Sequence, residues 1–420
     1  MQKAKTLSFI LIVILLVTSF SLLLASQQMQ SKEQVYVGVA FGGTTVEQAK
    51  TLINRVKTYT NLFVLASGLN PISSNQTAVV EICDYATNAG LNIIVNLGTR
   101  TTLEDWAWKL EFYKTASDRY GEKYLGTYYD DEPGGIPLDW DWEDYFTRND
   151  SILFSGANPL DLTPVHYLIQ LAEITGIKPQ NYSIEAEWFH KLLTGNRGFN
   201  DLKRNNLTTF TSDYVLFWFD YLGGYDTLFA QLGHNSTSTD EYDNDLTSLA
   251  LLRGAATMQK KDWGAIVTWK YNHPPYLDEG QAVYNQMKKA YNAGAKYIMV
   301  FDFPYNVTKP DGTLNPYGVL TEKHFQALRA FWNNDLTKPP TNAHAEAALV
   351  LPKDYGWGLR NPEDRIWGFW GPDEKSPLIW NNTQILLRKF GLGLDIIYED
   401  PDFPIQGNYS RIYYWNQTVT

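Results

Sequence analysis

Three carboxylates stand in a row at Asp130-Asp131-Glu132, followed by Pro133, Gly134 and Gly135. They close the run Tyr124-Leu-Gly-Thr-Tyr-Tyr129, whose apolar and aromatic residues read as a buried strand. A proline and two glycines end such a strand sharply and leave backbone room for a ligand. Carboxyl groups this close cannot all ionise freely. One keeps its proton near neutral pH and is equipped to act as an acid beside a charged neighbour. A solvated acidic turn would carry the same letters, so the meaning of the triplet depends on the elements that hold it.

Those elements alternate between strand and helix for most of the chain. Val35–Phe41 predicts a strand, and Val46, Ala49, Leu52, Ile53 and Val56 then repeat at helical spacing. Asn61–Ala66 predicts a second strand, followed by a helix with Val79, Ile82, Cys83 and Ala86 inward and Gly90 as its stop. Leu91–Val95 is the third, followed by a helix carrying Trp106, Leu110 and Tyr113 and ended near Gly121. Tyr124–Tyr129 is the fourth, Tyr182–Trp188 the fifth, Tyr214–Phe219 the sixth, Ala265–Trp269 the seventh and Tyr297–Phe301 the eighth. A helix with Val283, Met287, Ala290 and Tyr291 on one face, closed by Gly294, precedes the last. This alternation predicts an α/β fold, a (β/α)8 TIM barrel over residues 32–335. A doubly wound open sheet is the structural alternative, but no Gly-rich phosphate fingerprint accompanies it.

In a barrel of this kind the active site gathers at the C-terminal ends of the strands. Asp131 and Glu132 occupy that position on strand four, Asn96 on strand three, Glu187 and Trp188 on strand five, and Asp220 on strand six. Trp269, Lys270, Tyr271 and Asn272 follow on strand seven and Asp302 on strand eight. The candidate catalytic carboxylates are therefore Glu132, Asp131, Asp302 and Glu187. The candidate substrate-binding groups are Trp269, Tyr271, Asp220, Trp188, Asn96 and Trp140. Trp140 belongs to the segment Asp139-Trp-Asp-Trp-Glu-Asp-Tyr145, within an insertion reaching to about Pro164 and long enough to wall a cleft. An acidic surface loop anchored by buried tryptophans is the competing reading of that segment. Trp269 and Tyr271, two apart, face the same way with Lys270 turned outward, although Trp269 alone could equally plug the barrel core. The composition includes 14 Trp, 27 Tyr and 20 Phe, many beside acidic or amide residues. Flat rings next to hydrogen-bonding groups suit sugars, whose C–H faces stack while their hydroxyls seek polar partners.

A strand ending in Asp131-Glu132-Pro133 at position four of an exported barrel resembles the glycoside hydrolases. The Asp131-Glu132 pair is similar to that of the β-N-acetylhexosaminidase-type families. That resemblance implies that Glu132 is the acid/base and that Asp131 orients a 2-acetamido group acting as internal nucleophile. Asp131 stands where the large retaining clan has Asn, and Trp269 rather than Glu ends strand seven, which leaves a conventional protein nucleophile without its usual position. A separate carboxylate, Asp302, Glu187 or Asp220, is the alternative partner of Glu132. The competing class is a non-catalytic glycan-binding or cell-envelope protein on the same barrel.

The N-terminus carries Lys3 and Lys5 ahead of an uncharged, mostly apolar run from Leu7 to Ala25, the layout of a secretory signal over residues 1–31. The run is also close to the ~20 residues that span a bilayer, so an uncleaved anchor is the other reading and the only membrane contact expected. Loss of the two lysines with a cleaved leader takes the net charge from −11 to −13, which disfavours nucleic acid as a partner. Asn-X-Ser/Thr acceptors begin at Asn75, Asn149, Asn181, Asn206, Asn235, Asn306, Asn381, Asn408 and Asn416, as expected of a glycosylated, secreted or cell-surface protein. Cys83 is the single cysteine, placed as a small core residue, and the six histidines are scattered. Neither a metal site nor a cofactor is expected. Residues 336–346 read as a Pro-rich linker and residues 347–420 as a small, incomplete α/β unit similar to a flavodoxin-like domain. Its aromatic stretch from Asp354 to Trp370 suits packing or sugar contact.

Overall fold

The computed structural model describes residues 34–139 except 67, 69 and 101, residues 182–268 except 196 and 234–243, and residues 277–303, 305–308, 314–368, 371–405 and 407–419. The predicted leader, Trp140 with the rest of its insertion, and the segment holding Trp269 and Tyr271 lie outside these residues. No helix among the described residues is long and apolar enough to cross a membrane.

Eight strands, β1 (Tyr36–Phe41), β2 (Leu62–Ala66), β3 (Asn92–Asn96), β4 (Tyr124–Tyr128), β5 (Thr209–Asp213), β6 (Thr227–Leu232), β7 (Asp262–Val267) and β8 (Tyr297–Asp302), run parallel in sequence order. β8 pairs back onto β1 from Tyr36↔Tyr297 to Phe41↔Asp302, so the sheet closes and the fold is a (β/α)8 barrel. Helices α1 (Val46–Val56), α2 (Gln76–Asn88), α3 (Leu103–Tyr120), α4 (Gly135–Asp139), α5 (Tyr182–Gly195), α6 (Arg197–Arg204), α7 (Phe217–Gly223), α8 (Asn244–Gln259), α9 (Gly280–Asn292) and α10 (Glu322–Asn334) connect them. Their starts are written in the sequence: Thr45 and Gln48 form a capping box on α1, and Asn75 and Thr102 cap α2 and α3. Side chains fill the barrel interior, with Leu62, Val64, Ile94, Tyr128, Phe210, Phe229 and Met299 in one cluster. Gly126 lets β4 approach β5. A Cβ there would lie 2.6 Å from the Thr208 carbonyl oxygen and 2.7 Å from the Phe210 ring.

Two predicted strands are corrected. Tyr182–Trp188, read as strand five, is the start of α5, and Tyr214–Phe219, read as strand six, is a turn running into the short helix α7. Strand five is instead the hydroxyl-rich Thr209-Phe-Thr-Ser-Asp213, and strand six is Thr227–Leu232. The apolar run at 214–219 is buried because a second layer covers it, not because it lies in the sheet. Trp218 packs 5.5 Å from Tyr398, and Phe219 4.6 Å from Trp367, between ring centroids.

After the hairpin β9 (Tyr305–Thr308) and β10 (Leu314–Tyr317), a three-stranded parallel sheet orders β12 (Leu394–Tyr398), β11 (Ala347–Leu351) and β13 (Arg411–Tyr414), with α11 (Ser376–Phe390) against it. Residues from Tyr36 to Thr420 form one compact unit. The 336–346 segment joins the packing: Asn342 donates its N–H to Asn292 O at 2.8 Å, and its carbonyl accepts from Arg253 at 2.8 Å. Arg253 also donates to Asp395 at 2.6 Å and to the carbonyls of Leu392 and Leu394, fastening α8 to β12. Tyr355, Trp357 and Trp367 are buried in this lobe, so these rings serve packing.

Candidate active site

The acidic triplet sits at the C-terminal end of β4, held in unusual backbone. Asp130 and Glu132 both have left-handed φ, 62° and 52°, a conformation that costs a non-glycine residue about 1–3 kcal/mol and persists only where its surroundings enforce it. The enforcement comes from β5. Glu132 N–H donates to Ser212 O at 2.9 Å, and Thr211 Oγ1 donates to Asp130 O at 3.1 Å. Asp213 Oδ2 accepts from Gly134 N–H at 2.7 Å and Gly135 N–H at 3.1 Å, while its Oδ1 accepts from Tyr214 and Val215 N–H at 2.7 and 3.3 Å. The two glycines were expected to leave room for a ligand, but protein fills that room. A Cβ on Gly135 would fall 2.3 Å from the Tyr214 ring, and one on Gly134 would lie 3.1 Å from carboxylate oxygens of both Asp213 and Asp220.

Asp131 is held by two hydroxyls and Glu132 by one side-chain amide. Tyr128 OH and Ser212 Oγ lie 2.5 and 3.0 Å from Asp131 Oδ1 and 2.6 Å from each other, so their two O–H donors are shared between that carboxylate oxygen and the hydroxyl pair. Asp131 itself is exposed. Gln231 Nε2, from β6, donates to Glu132 Oε1 at 2.8 Å and to Ser212 Oγ at 3.1 Å. Burial pushes the Glu132 carboxyl up, and the charges of Asp131 and Asp213 add to this against the Gln231 bond, taking it to about 8. At neutral pH this half-buried group keeps its proton. A carboxyl in that state can donate a proton to a group placed against it.

Of the other predicted site residues, Asp302 does end β8, across the barrel from β4. It is buried, accepts from Leu320 N–H at 3.0 Å and is pushed up to about 6 by burial. Asn96 ends β3, where its Oδ1 accepts from Gly98 N–H at 2.8 Å. Glu187 is not on a strand: it is exposed on α5, because the segment that carries it is helical. Trp188 is in the same helix, its side chain outside the described residues. Asp220 does not follow a strand or line the mouth either. It lies on α7, wholly buried behind the Glu132 turn. Among the described residues, no cluster of His, Cys, Asp and Glu could hold a metal ion.

Sequence reasoning missed Ser212, Asp213 and Gln231, which come from the two strands it misplaced. The signal was present in an acid closing Thr-Phe-Thr-Ser-Asp213 after alternating apolar and hydroxyl positions. It also missed the link from the C-terminal lobe. Arg360 donates to Asp139 at 2.5 Å and bidentately to Asp364, and Tyr214 OH donates to the other oxygen of Asp139 at 2.5 Å.

No protein-family model and no curated protein matches this sequence. Solved structures do match the fold. A β-galactosidase from the psychrophilic Marinomonas ef1 is 12% identical with a TM-score of 0.56, over 90% of this chain and 72% of that one. A GH5_18 protein from Streptomyces cattleya in complex with GlcNAc is 11% identical with a TM-score of 0.53, over 92% of this chain and 99% of that one. A GH5_18 protein from Bifidobacterium longum in complex with Manβ1-4GlcNAc is 11% identical with a TM-score of 0.52, over 91% and 96% of the two chains. These structural neighbours are glycoside hydrolases, and at such identity the likeness is one of fold.

Proposed function

We propose that this chain is an exported glycoside hydrolase that cleaves a polysaccharide or glycan with Glu132 as general acid/base. The observation that carries the reading is a carboxyl at the C-terminal end of β4, raised to about 8 and aimed by Gln231, beside the hydrogen-bonded Asp131. Glu132 donates its proton to the leaving glycosidic oxygen, and its carboxylate then takes a proton from the attacking water. Both hydroxyls meet Asp131 at Oδ1, which leaves Oδ2 to orient a 2-acetamido group whose oxygen attacks the anomeric carbon. The segment from Thr268 to Leu277, after β7, contains no Asp or Glu, which favours this substrate-assisted version over a nucleophile on that strand. The neighbours solved with GlcNAc and Manβ1-4GlcNAc support a glycan as substrate class. Export rests on the Lys3, Lys5 and Leu7–Ala25 leader, and the sequon asparagines Asn75, Asn206, Asn381, Asn408 and Asn416 are all exposed.

The test is digestion of a glycan panel by the wild type and Glu132→Gln. The variant keeps shape and loses the transferable proton, so hydrolysis should fall to a small residual rate while glycan binding and melting temperature persist. Equal turnover by both would overturn the assignment, and binding without turnover by either would place the chain among glycan-binding proteins.

A further inference from the structure

Directly behind the Glu132 turn lie two carboxyls that the proposed reaction does not use. Asp213 and Asp220 are each 0% exposed, and no ion pair among the described residues reaches either. Asp213 is surrounded by four backbone N–H groups, from Gly134, Gly135, Tyr214 and Val215. Asp220 is the opposite case. Neither of its oxygens receives a donor, although both are shut off from solvent. Its neighbour is another acceptor: oxygens of Asp213 and Asp220 converge on Gly134 from the same side, each 3.1 Å from where a Cβ would sit. Two buried carboxyls in contact without a cation share one proton, since the alternative is two uncompensated charges in a dry site.

We propose that Asp220 holds that proton and donates it to Asp213, making the pair a clamp that fixes the left-handed turn at Glu132. Asp213 is then a positioning residue: it stays ionised, its four N–H partners join the ends of β4 and β5, and Asp220 supplies the fifth donor. The choice of proton site follows from the donors. An ionised carboxylate accepts four N–H bonds comfortably, whereas a protonated one would turn its O–H toward another donor. Burial, Asp213 and Asp130 all push the Asp220 carboxyl well above the usual range, in keeping with that assignment. The remaining groups that act on the clamp among the described residues, Asp130, Glu132, Tyr214, Tyr221 and Tyr225, are acidic or phenolic and offer it no positive charge. The role in catalysis rests on the proposed function, but the clamp itself does not.

Hydrogen exchange of the peptide covering residues 129–139, read by mass spectrometry, tests it without turnover. Asp213→Asn removes the charge and sets an amide N–H against one of the two donor pairs, Gly134 with Gly135 or Tyr214 with Val215, which loosens the joined turn, so exchange there should rise at least about tenfold. Asp220→Asn supplies an N–H in place of the shared proton and should keep wild-type protection, whereas Asp220→Ala should lose it. Carboxyl ¹³C NMR of the wild type at neutral pH should show a protonated aspartate that survives in Glu132→Gln and disappears in Asp220→Asn. Where glycan is hydrolysed, Asp213→Asn should lower kcat about 100-fold with KM little changed, the cost of misplacing an acid. Unchanged exchange in Asp213→Asn, equal exchange in the two Asp220 variants, or an aspartate spectrum with no protonated carboxyl would each overturn the clamp. A wild type that hydrolyses nothing while these readouts behave as expected sinks only the proposed reaction.

Discussion

Two of the sites where acids are buried among the described residues are compensated in opposite ways. At the junction of barrel and C-terminal lobe, Asp395 is 1% exposed and meets Arg253, 3% exposed, at 2.6 Å, with Tyr409 OH on its other oxygen. The remaining Arg253 N–H groups are spent on carbonyls of Leu392, Leu394, Asn342 and Ala293, so charge and hydrogen bonds both close. Behind β4 and β5, Asp213, Asp220 and Glu132 meet no cation among the described residues and depend on N–H dipoles, one amide and each other. The first arrangement fixes a joint. The second keeps protons on carboxyls at neutral pH, which a joint does not need and which the proposed acid catalysis by Glu132 would use.

The comparison can be broken most forcefully at the joint. Arg253→Met strands Asp395 as an uncompensated buried charge and should destabilise the protein by about 3–5 kcal/mol, read by denaturant unfolding. A loss under 1 kcal/mol would show that the joint does not depend on the pair. At the site, Asp131→Asn should cost about 100-fold in kcat on N-acetylated glycans with little change in melting temperature, because it removes an electrostatic partner of the reacting group. Equal rates on substrates with and without the acetamido group would instead require a protein nucleophile. Asp302 would then be the first to replace.

A smaller effect separates the two regions by pH. The Glu132 carboxyl is raised in the folded state from 4.5 to about 8, so its contribution to stability is fully present below about 4.5 and is lost as the pH rises through 8. Burial displaces the Asp213–Asp220 pair, with its one shared proton, in the same direction. Stability should therefore fall across this window in the wild type and fall less steeply in Glu132→Gln. An identical slope in both proteins would remove Glu132 from the account.

The first half of the barrel was legible because its strands are apolar runs bounded by clear helix signals, such as the Thr45-to-Gln48 box and the Gly90 stop, whose φ is 93°. The second half was not, for a tertiary reason. Tyr214-Val-Leu-Phe-Trp-Phe219 carries the pattern of a buried strand, yet its rings are buried by Tyr398 and Trp367 from a lobe more than a hundred residues later. The true β5 hides its role because Thr211 and Ser212 spend their hydroxyls on Asp130 and Asp131 rather than on solvent. Local pattern sees polarity there and cannot see its partner. Asp131 and Glu132 could be picked out by their spacing alone. Asp213, which holds their turn, could not, since its function is defined by the four N–H groups that meet it.

The most direct test of the central claim is the pH dependence of kcat/KM for glycan hydrolysis. If Glu132 is the acid and is raised to about 8, activity should hold through neutral pH and fall on the alkaline side near that value, with the limb absent from the residual rate of Glu132→Gln. Activity already falling from about pH 4.5, as an unperturbed carboxyl acid would give, or an alkaline limb that survives in Glu132→Gln, would contradict it.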